Sequence, residues 1–249
     1  MLVRWGRTST ITAGIVLAAV AAPKNVKAGI VIEQKVTIGN GTSVAREGGQ
    51  KLMLQGDKEV LLLNDQQSVV IDADAAKVTT IDRGHKLFRE LPFRKVMGTS
   101  LDPNRFLYLP FKSTGKFERI LGVKCEDYKG VKVRGPLMTS VTACFSTEAQ
   151  GSKTFAHLMK LVVERLGRKA QGVWLPDGLP LMVEATRATN PSFTFPDVPP
   201  KDLLQFKQRI AKIPPQVTRQ VVTKLTSEKL TPEAFRVPAG YKRVGPLPD

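Results

Sequence analysis

The sequence predicts a mainly β (α+β) domain, and three observations carry that reading. Short stretches of alternating polarity follow one another from Ile30 to Leu91, separated by turn-forming residues. One longer run, Phe155 to Leu166, has helical periodicity. The two cysteines, Cys125 and Cys144, flank a turn signal, Arg134-Gly135-Pro136-Leu137. Strands arriving this often with no long helix between them exclude a doubly wound α/β fold.

The chain opens with Arg4 and Arg7, then the apolar run Ile11 to Ala22, then Val26-Lys27-Ala28. That order reads as a secretory signal peptide over residues 1–28, cleaved after Ala28. The run is short for a transmembrane helix, which needs about 20 apolar residues, so no stable membrane span is expected after cleavage. The expected location is the periplasm or the cell exterior. Residues 29–249 then form a single domain of 221 residues, enough for a substantial core.

In the first segment Ile30, Ile32, Val36 and Ile38 share one face, while Val31, Glu33, Lys35 and Thr37 share the other, as in a half-buried strand. Asn40-Gly41 supplies a hairpin turn. Asn40-Gly41-Thr42 is also a glycosylation acceptor pattern. Further strands are expected at Lys51 to Gln55, Val60 to Leu63, Ser68 to Asp72, Val78 to Asp82 and Leu87 to Leu91, forming an antiparallel meander. Leu101 to Phe111, with Pro103 and Pro110, reads as an edge or a loop.

Thr114 to Tyr128 and the return segment ending Val141 to Phe145 form the next hairpin. Folded about Arg134 to Leu137, position i meets roughly 269 minus i, which sets Cys125 opposite Cys144. Opposed Cβ atoms lie about 4.5–5.5 Å apart, within reach of a disulfide. Export to an oxidising space favours that bond, the alternative being two buried thiols.

The helix is expected to start near Ser152 or Thr154 and to end at Gly167. Phe155, Leu158, Met159, Val162 and Leu166 make its apolar stripe, with Lys153, His157, Lys160, Glu164 and Arg165 off it. Gly172 to Glu184 reads as two short strands around Pro176-Asp177-Gly178. Residues 190–216 hold six prolines around a short amphipathic helix with Leu203, Leu204, Phe206 and Ile210, an excursion inserted into an opened hairpin. Val217, Val221 and Leu225 mark a further strand, with Arg219 interrupting their face.

The formal net charge is +16, and residues 1–28 hold four basic residues and no acid, so the chain from Gly29 carries +12. Such a surface favours anionic neighbours, in an exported protein lipid headgroups or envelope polymers. No run of five like charges and no arginine-rich helix is present, so nucleic acid is not an expected partner.

Together these motifs resemble a family. Thr114-Gly115-Lys116 with Ile120 to Tyr128 looks like the "tGk…I.Gy.C..Y" hairpin of a group of uncharacterised bacterial exported proteins with a lipoprotein-carrier (LolA-like) fold. Gly178-Leu179-Pro180-Leu181 resembles their "GlPl" strand, and Phe235 to Lys242 their terminal "F.vPagYk". Val123 stands where the family commonly has an aromatic, and residues 190–216 have no counterpart in it. The resemblance implies a curved antiparallel half-barrel sheet with one main helix and a short helix packed on its concave face. It also implies an apolar groove that receives acyl chains.

Catalytic machinery is hard to find. No G-x-S-x-G, H-E-x-x-H, Walker loop or C-x-x-C is present, so no cofactor, metal or catalytic residue is expected. Asp82-Arg83-Gly84-His85-Lys86 reads as a polar hairpin turn, and His157 as a surface residue of the helix. The expected function is therefore non-enzymatic binding of a hydrophobic or acylated ligand, a lipid or a lipoprotein. Phe155, Leu158, Met159, Val162, Trp174 and Met182 are the candidate groove residues, since methionine and aromatics adapt to flexible apolar ligands. The same stripe also reads as ordinary core. Two other functions stay open: an envelope interaction protein holding anionic polymers or a protein partner on its basic surface, and a hydrolase.

Overall fold

The structure is a computed structural model that describes residues 28–40, 43–56, 58–62, 66–96, 106–166, 175–190, 192–193 and 200–245. The expected leader up to Lys27, the Gly41-Thr42 turn, the helix end at Gly167-Arg168-Lys169 and Trp174 lie outside the described residues.

The meander forms as its alternation dictates. β1 (Ala28–Gly39), β2 (Val44–Gln55), β3 (Lys58–Leu62), β4 (Gln67–Asp72), β5 (Lys77–Asp82) and β6 (Leu87–Pro92) pair antiparallel in chain order. β2 starts well before the expected Lys51, because Arg46 to Gly49 ladder against β1 while staying exposed and so leave no apolar signature. The turn Arg83 to Lys86 is tied by Asp82, whose carboxylate accepts from the His85 backbone N–H at 3.0 Å and meets His85 Nδ1 at 2.8 Å. The Asp82 to Lys86 cluster is thus a side-chain-capped turn.

One turn of helix, α1 (Phe93–Val96), follows and buries Phe93 and Val96. The segment Phe106 to Phe111 is irregular apart from a bridge at Pro110, yet it buries Leu107, Tyr108, Leu109 and Phe111 in the core.

The second half of the sheet is β7 (Lys112–Ile120), β8 (Val123–Arg134), β9 (Leu137–Ser146), β10 (Leu179–Thr189) and β11 (Gln216–Lys229). β10 and β11 pair with each other across the proline-rich excursion, which holds α3 (Pro200–Ala211). Only one strand flanks the Pro176-Asp177-Gly178 turn among the described residues, since Leu175 and Pro176 are not extended in a ladder. All described strands form one 12-stranded sheet, in the order β12-β6-β5-β4-β3-β2-β1-β11-β10-β9-β8-β7. It is not closed into a barrel: β12 (Lys242–Arg243) and β7 are its edges.

An open sheet of this width curls. The helix α2 (Ser152–Leu166) touches both β2 and β10, three steps apart in the sheet, so it lies on the concave side. There Ile30, Ile32, Leu52, Leu54, Val69, Ile71, Phe145 and Val183 meet Phe155, Leu158, Met159 and Val162 in the main core. α1 also packs against α2. The short helix α3 lies within the excursion, and none of its described side chains is buried. The second helical element on the core is therefore α1.

β1 is buried on both faces at its start. Val31, expected on the polar side, is only 1% exposed and joins Val70, Ile81, Leu230 and Phe235 in a second cluster behind the sheet. The terminal motif covers it: a 3-10 turn, Pro232–Phe235, plugs Phe235 in. β12 then runs parallel to β6, with Lys242 N–H donating to Lys86 O and Val244 N–H to Phe88 O, both at 2.9 Å. On β11 the buried residues are Thr218 and Val222, while Val217, Val221 and Leu225 are half-buried.

Among the described residues no helix is long and apolar enough to cross a membrane, which says nothing of strands.

Candidate functional site

The corner that launches α2 fixes the site. Ser152 Oγ donates to Ser146 O and lies equally close to Ala149 O, both at 2.6 Å. Ser146 Oγ accepts from the backbone N–H groups of Glu148 and Ala149. Gly151 has φ +89°, and a Cβ there would sit 2.8 Å from Ile30, so this tight corner requires glycine. Leaving it, α2 points Phe155, Leu158, Met159 and Val162 at the sheet and His157, Lys160 and Glu164 at solvent.

The expected groove residues divide. Phe155, Leu158, Met159 and Val162 do converge, but each is 0 to 2% exposed, so the space directly beneath the helix is filled by side chains. Met182 is elsewhere: it is the ladder partner of Cys144, and therefore shares the sheet face that Phe145 does not. Phe145 is the residue on the α2 side.

An opening exists on the flank of the helix. A cleft of about 370 Å³ runs between α2 and Leu175 to Gly178, walled by Phe145, Phe155, Ala156, Met159, Val163, Leu175 and Pro176. His157, Lys160, Glu164 and Asp177 line its rim. Gly178 brings the loop this close, because its φ is +107° and a Cβ would fall 2.3 Å from Ser146 O. Ala156 and Val163 lie one step off the apolar stripe, and Phe145 follows a cysteine at a strand end. Of the walls, Phe155 and Met159 belong to the expected stripe and Leu175 to Gly178 carry a turn signal.

Beside the cleft an aromatic corner supports Phe145. The Phe145 ring meets Phe111 and Tyr128 edge-on, with centroids 5.8 and 5.7 Å away. Tyr128 donates to Glu126 at 2.9 Å, and Ser113 Oγ donates to the other Glu126 oxygen. Burial first, and then the Glu126 bond and charge, push the Tyr128 hydroxyl up to about 12. Those bonds, that of Ser113 first, hold Glu126 below the usual carboxylate range.

Cys125 and Cys144 form the disulfide, with Cα atoms 5.4 Å apart. The hairpin register differs from the expected one. The turn is centred on Gly135-Pro136, Gly135 having φ +55° as the first central position of a II′ turn requires. Arg134 therefore faces Leu137, and Cys144 faces Asp127.

Around that bond, Glu118, Asp127 and Cys144 are the titratable or metal-ligating side chains that come within 4.8 Å of one another among the described residues. Cys144 carries no thiolate, which leaves two carboxylates. Asp127 Oδ1 is buried with no hydrogen-bond partner. Burial, then the Glu118 charge, raise the Asp127 carboxyl above its ordinary range against the pull of Lys116 and Lys129. That environment favours a protonated acid over a cation ligand.

No family model and no curated protein matches the chain. Among solved structures it is similar to PNGF-II in one crystal form, with TM-score 0.42, 10% identity, 87% of this chain covered and 30% of that one. A second crystal form gives TM-score 0.41, 10% identity, 83% and 30%. The chain thus spans under a third of PNGF-II. A LolA superfamily protein from Nitrosomonas europaea matches with TM-score 0.30 and 5% identity over 84% of this chain and 90% of its own.

Proposed function

We propose that the protein is a non-enzymatic exported module that binds a hydrophobic or acylated ligand, a lipid or the acyl chain of a lipoprotein, in the cleft between α2 and Leu175 to Gly178. The observation that carries this reading is the cleft itself. Its walls are apolar from Phe145 to Pro176, its volume of about 370 Å³ suits a single small ligand, and Lys160 stands at its rim where an anionic head would lie. Its floor residues Phe155 and Met159 are held by the main core, so the site is pre-formed rather than opened by unfolding.

The chemistry around it supports binding over turnover. His157 is exposed on α2, and His85 is bound to Asp82 in a solvent-facing turn. Among the described residues neither histidine makes a hydrogen bond to a serine or cysteine that it could activate.

A fluorescent fatty acid tests the proposal. Saturable binding to the wild type is expected, and Ala156→Trp, which places an indole in the cleft from its solvent side, should abolish it while leaving the melting temperature unchanged. Binding that survives Ala156→Trp would place the ligand elsewhere and overturn the assignment.

A further inference from the structure

One end of the sheet collects apolar side chains that nothing among the described residues covers. Of eight large hydrophobic residues exposed among the described residues, six are Val44, Val131, Val133, Leu137, Leu204 and Ile213, each 47 to 70% exposed. The ladders bring them together. Val44 pairs with Gly39 at the β1–β2 turn, and Gly39 pairs with Val217 at the start of β11. Leu137 pairs with Arg134 across the β8–β9 turn and with Thr189 at the end of β10. Asn190 ties that turn to the excursion, its N–H donating to Pro136 O at 2.8 Å and its side chain to Gly135 O at 3.3 Å. Ile213 ends the excursion three residues before β11, and α3 with Leu204 is tethered between these two points.

The charge at this end is one-sided. Arg46, Lys132, Arg134, Arg187, Arg209 and Lys212 are all exposed there. No acid occurs between Tyr128 and Thr147. Among the described residues the nearby acids are Glu47, paired with Lys35 at 2.9 Å, and Asp202 on α3.

We propose that this end of the sheet docks on an anionic lipid surface. Both halves of the chemistry are needed for that partner. Basic residues are drawn to the negative potential of acidic headgroups, and exposed valines and leucines gain by entering the interface beneath them. A soluble polyanion would use only the charges. On β8, Val131 and Val133 alternate with Lys132 and Arg134, so the hairpin tip offers both kinds of contact at one depth. The inference stands apart from the proposed cleft, which opens beside the first residues of β10, the whole 11-residue strand away from the docking end. Docked this way, the protein holds the cleft about 35 Å from the bilayer, facing the aqueous side.

The test is sedimentation with large unilamellar vesicles, of phosphatidylcholine alone or with phosphatidylglycerol at three to seven parts. The chain from Ala28 onward, which contains every described strand, is compared with Lys132→Glu/Arg134→Glu, with Val131→Ser/Val133→Ser/Leu137→Ser, and with the opposite-end control Phe117→Ser/Leu121→Ser. Wild type and control are expected to bind the anionic vesicles and not the neutral ones. Loss of two basic contacts lowers partitioning about 30-fold, since each contributes roughly a fivefold factor at such a surface. The serine variant is expected to lose the fraction of binding that persists at about 1 M salt, where charge attraction is screened. Circular dichroism melts confirm that each variant is folded. Absence of binding to anionic vesicles, an equal loss in the control, or serine variants that bind like wild type would each overturn the proposal. The last of these points to a soluble polyanion. Self-association by light scattering that disappears in the serine variant, without vesicle binding, would reassign the end to a second copy of the chain.

Discussion

Cys144 is the ladder partner of Asp127, and its disulfide reaches diagonally across the hairpin to Cys125, with 5.4 Å between their Cα atoms. The bond therefore ties the end of the β8–β9 hairpin remote from its turn, closing a separation of 19 residues. In the chain-entropy picture that contributes about 3 kcal/mol. Cys125→Ser/Cys144→Ser should accordingly lower the melting temperature by roughly 6–12 °C. Thiol labelling of the denatured, unreduced wild type should find no free cysteine. Two labelled thiols in protein from an oxidising compartment would remove the bond from the account.

Asp127 gives a prediction in pH. Its carboxyl is raised above the ordinary 3.8, by burial first and by Glu118 second. An acid raised in this way holds its proton more tightly folded than unfolded, so stability present at low pH is lost as pH climbs from about 3.8 through the raised value. Asp127→Asn removes the titration. The variant should melt higher than wild type at pH 7, and the difference should shrink to nothing as pH falls below the ordinary value. A difference that grew on acidification would mean that Lys116 or Lys129 holds Asp127 in a stabilising ion pair.

The outer cluster depends on the terminal segment. Phe235, 7% exposed, closes over Val31, Val70 and Ile81 on the face of the sheet away from α2. Phe235→Ala should cost about 3 kcal/mol, and a chain ending at Lys229 should expose the cluster and bind a hydrophobic dye. Truncation without loss of stability would show that the second cluster adds nothing to the fold.

How far these features were legible follows from period and register. The strands from β1 to β6 and the span of α2 are written in local alternation and helical spacing, which a chain shows without its partners. Residue-to-residue pairing is not. Because Arg134 faces Leu137, position i meets 271 minus i rather than the expected 269 minus i, which shifts every pair by two. Because side chains alternate with period two, the shift keeps Cys125 and Cys144 on one face, and the bond survives as a diagonal. Val31 falls in the alternation of the polar Glu33 and Lys35, and its burial comes from Val70 and Ile81 in the sheet and from Leu230 and Phe235 returning at the end of the fold. The cleft was least legible of all, since Ala156, Val163 and Phe145 meet Leu175 through a loop whose path depends on Gly178.

The last prediction separates the core from the cleft on a single turn of α2. Phe155 and Ala156 are neighbours in sequence and both line the cleft, but their loads differ. Phe155 is 2% exposed and embedded in the main core, whereas Ala156 is half-buried on the helix flank. Phe155→Ala should cost about 3–5 kcal/mol, because the surrounding sheet and α1 cannot collapse onto the space it leaves. Ala156→Trp adds bulk toward solvent and should change stability by less than about 1 kcal/mol. If the cleft is the ligand site, the acyl probe responds in the opposite order: Ala156→Trp loses binding outright, while Phe155→Ala, studied below its lowered melting temperature, keeps binding or gains it through the enlarged floor. Equal loss of probe binding and stability in Phe155→Ala, with Ala156→Trp binding normally, would show that the flank opening is a surface irregularity and that α2 only seals the core.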